Sequence, residues 1–208
     1  MSRFIESIKV EDLQPYLLNY HQERVNQTFA QFCSGHPINL IEIFKSLNLD
    51  DDGLFKFKIT YDLDGNYRTQ LIPYAISEIS HFQLVENNSF DYQFKFEDRK
   101  ILEQMSQKAN GGEIIIVKNN CITDTSYSNL LFKKGREWFT PTTYLLNGVQ
   151  RQHLLKSKKI KEAEITLQNL SEYSHLQIIN AMNDFDDMFI YPLDRIRNLP
   201  SNKTFDLD

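Results

Sequence analysis

Apolar and polar positions along the chain repeat with two periods, and the switches between them mark the elements. Phe4, Ile5, Ser7, Ile8 and Val10 open with the pattern of a strand over 4–10. Val25, Phe29, Phe32 and Cys33 then recur at i, i+4, i+7 and i+8, which predicts a helix over 19–33. Leu40, Ile41, Ile43 and Phe44 mark a short helix over 38–47. After the acidic run Asp50 to Asp52, two alternating stretches over 54–61 and 67–74 read as a hairpin. Its turn is Asp62-Leu63-Asp64-Gly65-Asn66, where Gly65 is free to take a positive φ.

Further strands are expected over 79–85, 92–96, 113–117, 129–133, 138–140, 161–167 and 176–180, with helices over 97–108 and 148–157. Turns fall at Lys118-Asn119-Asn120 and at Gly135, and the polar stretch Glu86-Asn87-Asn88-Ser89 is the best linker. The pattern is that of an α+β protein in two lobes, 1–88 and 89–208, with a cleft between them. Ligand sites favour such boundaries.

Composition removes several classes of function. Hydrophobic content of 41% and charged content of 25% are those of a folded globular chain. A net charge of −5 argues against nucleic acid, whose phosphates call for a basic stripe. The basic run Lys156 to Lys161 reads as a solvated helix end. No apolar run approaches the roughly 20 residues of a membrane span, and the first residues lack signal-peptide architecture. Cys33 and Cys121, without CxxC spacing, read as reduced core thiols of a cytoplasmic protein. The seven glycines (35, 53, 65, 111, 112, 135 and 148) form neither G-x-G-x-x-G nor a P-loop, so a phosphate would need another device.

The candidate chemistry is scattered. Lys95 sits in Tyr92-Gln93-Phe94-Lys95-Phe96, where alternation turns the lysine away from the phenylalanines. It reads either as a surface lysine on an edge strand or as a desolvated amine able to form a Schiff base. Asp124, in Ile122-Thr123-Asp124, reads either as a turn residue or as a functional carboxylate. Gly148 precedes a predicted helix whose first N–H groups, at Val149 and Gln150, make an anion seat, a feature every helix start offers. In the first lobe, His21 shares the apolar stripe with Val25 and Phe32, while Arg24 at its margin has a fork suited to phosphate oxygens.

Taken in order, these segments resemble the class IV aminotransferases, the fold-type IV pyridoxal-phosphate enzymes. That family includes branched-chain and D-amino-acid aminotransferases and 4-amino-4-deoxychorismate lyase. Ile5-Glu6-Ser7-Ile8 resembles its F-E-T-I strand, and His21 to Val25 its H-x-x-R-L helix. Lys95, Asp98 and Arg99 are similar to the lyase pattern K-x-x-N-R, and Ile122-Thr123-Asp124 with Asn129 to V-T-E-x-x-x-x-N. Leu146 to Arg151 resembles L-x-G-I-T-R, and Ile179-Asn180-Ala181 sits where the lyases read C-N-A.

The resemblance implies a two-lobed D-amino-acid-aminotransferase-like fold with pyridoxal 5′-phosphate in the interdomain cleft. It implies that Lys95 forms the Schiff base and moves the substrate α-proton. Arg24 would hold the phosphate with the backbone of Val149 and Gln150 and the Asn180-Ala181 segment. Asp124 would face the pyridine nitrogen, and Ser7 would lie near a small amino substrate. A cytoplasmic homodimer is implied too. Within the family the lyase branch, forming 4-aminobenzoate, is slightly favoured by K-x-x-D-R and I-N-A. The alternatives are a branched-chain or D-amino-acid aminotransferase, or a cofactor-binding member without turnover.

Three departures stand out. Asp124 replaces the usual glutamate and is one methylene shorter. Asp98 replaces an asparagine, adding a charge expected near the phenolic side of the cofactor. The chain starts at the F-E-T-I-like strand itself, so contacts from earlier residues are expected to be missing.

Overall fold

A strand that must bury one face against helices and turn the other toward a cleft sets the plan of the first lobe. The structure is a computed structural model describing residues 2–32, 35–48, 52–185 and 189–199. Its elements begin with β1 (Phe4–Glu11), β2 (Gln14–Pro15), α1 (Leu18–Gln31), α2 (Leu40–Lys45), β3 (Leu54–Tyr61) and β4 (Tyr67–Pro73). The strands form an antiparallel sheet in the order β2-β1-β3-β4. Directly opposite residues of an antiparallel pair share a face. Phe4, Ile8 and Val10 therefore join their partners Tyr61, Phe57 and Phe55 against Val25, Phe29, Leu40 and Ile43 of the helices. Ile5, Ser7 and Lys9, opposite Thr60, Lys58 and Lys56, occupy the other face.

The second lobe contains β5 (Phe82–Glu86), α3 (Lys100–Ser106), β6 (Glu113–Lys118), β7 (Cys121–Thr125), β8 (Asn129–Lys134) and β9 (Glu137–Pro141). It continues with α4 (Val149–Lys156), β10 (Lys161–Ala163), β11 (His175–Ile179) and β12 (Tyr191–Pro192). The path β10-β9-β8-β7-β6-β5 is joined by β11, which pairs with β8 and β12. Phe82, Ile115, Ile122, Leu130, Phe132 and Ile178 fill one side of this sheet, and Ile114, Ile116, Leu102 and Met105 the other. Buried on both faces, β6 reads as the continuous run Ile114-Ile115-Ile116-Val117. Because β5 pairs with β6, the two sheets divide between Pro73 and Phe82, ahead of the polar stretch at 86–89.

Several local expectations change. Residues 92–96 do not form a strand of a sheet. Their backbone is spent on the free edge of β1: Ile5 N donates to Lys95 O at 2.9 Å, and Glu97 N to Arg3 O at 2.8 Å. The helix expected from 97 starts at Lys100. The strand expected over 161–167 stops at Ala163, where Thr166 and Asn169 exchange side-chain and backbone hydrogen bonds in a turn. Phe32 lies beyond the end of α1 and is 41% exposed, so the buried stripe of that helix runs through Tyr20, His21, Arg24, Val25, Thr28 and Phe29. Cys121 is a free, half-buried thiol rather than a core one, while Cys33, Asp50 and Asp51 lie outside the described residues. Space requires glycine at 112, where a Cβ would lie 2.5 Å from the backbone oxygen of His81.

Candidate active site

Lys95 stands where the lobes meet. The backbone bonds to β1 fix its peptide, and Phe94 and Phe96 turn into the first-lobe core. The amine is therefore directed the opposite way, into the cleft, as the alternation reading requires. Burial, reinforced by the positive charge of Arg24, pushes it down to about 7. An amine in that range is available in its neutral, nucleophilic form.

On the helix-facing side of β1, between Phe4 and Ile8, lies a fully buried carboxylate, Glu6. A buried charge persists only when paired, and α1 supplies the partners. Arg24 donates through Nε to Glu6 Oε1 at 2.8 Å and through Nη2 to Oε2, and His21 Nδ1 lies 2.5 Å from Oε2. Burial alone would raise the Glu6 carboxyl, but the charge and hydrogen bonds of Arg24 and His21 hold it at about 2. Burial lowers His21 below the usual imidazole range. His21 is thus a partnered core histidine, and Arg24 is a buried cation whose orientation is set by Glu6. Sequence reasoning gave Glu6 no role. Its signal was an acidic residue in phase with Phe4 and Ile8.

Asp124 is on β7, opposite Asn129 of β8. Its Oδ2 accepts from Leu145 N and Leu146 N, both at 2.9 Å, and its Oδ1 from Asn129 Nδ2 at 2.8 Å. Burial outweighs these bonds and raises the carboxyl to about 6. The shorter aspartate is thereby tied to the loop ahead of α4. Asn129 Nδ2 also donates to Leu146 O at 2.8 Å, which locks the strand pair to that loop.

Gly148 caps α4 with no side chain. Its φ of −64° is ordinary, so its backbone does not require glycine. Space does: a Cβ at 148 would sit 2.0 Å from Asn129 Oδ1. Tyr20, Val149 and Ala181 pack as one apolar cluster, bringing together the starts of α1 and α4 and the segment after β11. Asn180 shapes that segment, its Oδ1 accepting from Met182 N at 2.8 Å and its Nδ2 donating to Ser128 Oγ at 2.8 Å. Arg151 is buried under Tyr144, its guanidinium carbon 4.1 Å from the ring centroid, and bonds Pro141 O, Asn147 and Glu162. It clamps the loop and does not face the cleft.

Two cavities share Lys95, Arg99 and Tyr127. One reaches Asp124, Asn129, Leu145 and Leu146. The other, about 280 Å³, is bordered by Ser7, Lys56, Lys58, Tyr74, Asn180 and Ala181. Asp98 belongs to neither. It is exposed and accepts from Lys100 N at 3.1 Å, so the charge expected beside the cofactor lies on the surface, and Arg99 turns inward instead. Arg99 Nη2 donates to Ser126 O at 2.7 Å.

The sequence profile of amino-transferase class IV matches residues 3–185. The chain belongs to this family. Among solved structures, the chain is similar to a protein of Haemophilus somnus 129PT assigned as a 4-amino-4-deoxychorismate lyase. Their identity is 31%, covering 89% of this chain and 98% of the other, with a TM-score of 0.81. An uncharacterised protein of Haemophilus influenzae is 29% identical over 187 residues, 88% of this chain and 99% of the other. A Brucella abortus aminotransferase with bound pyridoxal phosphate shares the fold at 16% identity, with a TM-score of 0.69 over 92% of this chain and 80% of the other. The family is one of pyridoxal-phosphate enzymes, and the two-lobed fold expected from the resemblance is the one observed.

The residues present fit that cofactor. An amine and a carboxylate border one cavity. Arg24 lies one helical turn beyond Tyr20, the residue that packs against Val149 at the uncapped start of α4. These are the donor types that an aldehyde, a ring nitrogen and a phosphate call for. Among the described residues, no helix is long and apolar enough to cross a membrane.

Proposed function

We propose that this class IV enzyme is a 4-amino-4-deoxychorismate lyase, releasing pyruvate and 4-aminobenzoate, with Lys95 as the amine that holds pyridoxal phosphate. The observation that carries the reading is the Lys95 amine, depressed to about 7 by burial and by Arg24, in the same cavity as Asp124. The 31% identity to the Haemophilus somnus protein supports the lyase branch.

The cofactor, when bound, supplies an electron sink for the charge left on the substrate carbon as its proton departs. Arg24, oriented by Glu6, binds the phosphate together with the N–H groups of Val149 and Gln150 at the α4 start, beside Asn180 and Ala181. Asp124 holds a proton at the ring nitrogen. Lys95, with an amine near neutrality, accepts the substrate α-proton and returns one. Ser7 borders the space for a small amino substrate. The same reading makes the molecule a cytoplasmic homodimer, with its lobes meeting at the cleft.

Borohydride reduction of the protein purified with pyridoxal phosphate tests this directly. The label is expected on the peptide containing Lys95, and Lys95→Ala is expected to lose both label and turnover. A label on another lysine overturns the assignment. The family profile also supports an aminotransferase as second reading. Incubation with alanine separates the two, since an aminotransferase shifts its cofactor to the pyridoxamine form and a strict lyase does not.

A further inference from the structure

The sheet face toward the larger cavity carries more positive charge than the reaction above uses. Lys9 and Lys56 are directly opposite on β1 and β3, and Lys58 is opposite Ser7. Like charges so placed destabilise an antiparallel pair. Lys9 is neutralised, its Nζ lying 2.9 Å from Glu11 Oε2 and 3.1 Å from Asp184 Oδ2. Lys56 and Lys58 have no carboxylate partner among the described residues. Lys56 Nζ lies 5.7 Å from the centroid of the Tyr74 ring.

Both lysines are half-buried, and both line the cavity of about 280 Å³ together with Lys95 and Arg99. No aspartate or glutamate lines it. Cations gathered in a partly desolvated space repel one another, and an anion entering that space relieves the repulsion. Neither lysine packs into the lobe's core, which is on the opposite face of β3.

We propose that Lys56 and Lys58 are specificity-determining residues that hold a substrate carboxylate remote from the reacting amine, so that the enzyme selects amines bearing two carboxylates over those bearing one. This rests on the reading that the Lys95 cavity is the substrate site. A rigid dicarboxylate is the ligand class the pocket takes, one acid group at the lysine pair and the rest of the molecule toward Lys95.

Calorimetric titration of the holoenzyme with benzoate and with benzene-1,3-dicarboxylate tests it without turnover. The wild type is expected to bind the dicarboxylate about tenfold tighter, the effect of one charge-assisted hydrogen bond. The preference should vanish in the Lys56→Met, Lys58→Met double variant and survive in Lys58→Arg. In the wild type it should also collapse in about 1 M sodium chloride, where screening acts within about 3 Å, so the test holds even if the double variant fails to fold. Equal binding of the two acids, or a preference unchanged in the folded double variant or in high salt, overturns the proposal. Lys100→Met, an exposed change, serves as control. A borohydride label on Lys95 without a dicarboxylate preference defeats this proposal alone. A preference without the label defeats the lyase reading alone.

Discussion

Arg24 and Glu6 meet as a two-point pair inside the first lobe, Nε and Nη2 donating to separate oxygens of one carboxylate. The guanidinium proposed to bind the phosphate is thus anchored on the helix-facing side of β1. It keeps its charge in a buried place because Glu6 is there.

That pair gives stability a defined pH dependence. Glu6 is held at about 2 in the folded state against an ordinary 4.5. A depressed carboxyl contributes stability above its unfolded pKa and loses it as pH falls toward the folded one. The Glu6→Gln variant should be less stable than wild type by about 3 kcal/mol at pH 7. In urea unfolding the gap should close between about pH 4.5 and pH 2, the window set by the two values. A gap that persists undiminished to the acid end would remove Glu6 as its source.

Lys95 should be the most readily acylated lysine of the apoprotein near neutrality. Competitive labelling with acetic anhydride, resolved by peptide, is expected to give a midpoint near pH 7 for Lys95 and about 10 for ordinary exposed lysines. Arg24→Met removes the positive charge that contributes most to that depression and should move the Lys95 midpoint upward. No movement would remove Arg24 as a contributor, leaving burial with Arg99 and Lys56.

Asp124→Asn replaces a double acceptor with a group that can accept through one oxygen. The donors Leu145 N, Leu146 N and Asn129 Nδ2 then compete for it, and one buried donor is stranded. The expected loss is about 1–3 kcal/mol in thermal or urea unfolding. Cofactor retention, followed by its visible absorbance after gel filtration, should fall as well. Full stability would show that the loop does not depend on this carboxylate.

Gly148→Ala drives a methyl into Asn129 Oδ1. The displaced amide breaks the bridge between Asp124 and Leu146, at a cost of about 1–3 kcal/mol. Combined with Asn129→Ser, the substitution should cost less than the sum of the two single changes, since the collision is gone. Strict additivity in unfolding experiments would contradict the contact.

Much of this molecule is legible in one dimension. The periods of β1, α1 and the β3–β4 hairpin delineate themselves, β6 shows as an unbroken apolar run because both its faces are buried, and Gly65 takes its positive φ of 84° in the expected turn. The motifs around Arg24, Lys95, Asp124 and Gly148 identify the family because their order along the chain is itself a pattern. Segments that bond to something distant are illegible: residues 92–96 look like a strand yet spend their backbone on the edge of β1. The motif resemblance also misjudges direction, sending Asp98 to the site when Arg99 turns inward. Only the folded chain decides that Glu6 anchors Arg24, that Asn129 dictates a glycine at 148, and that Lys56 and Lys58 share a cavity with Lys95. The reason is physical. Period encodes which face of an element is buried, whereas burial of charge, crowding and electrostatic pairing depend on what the opposing element brings to that face.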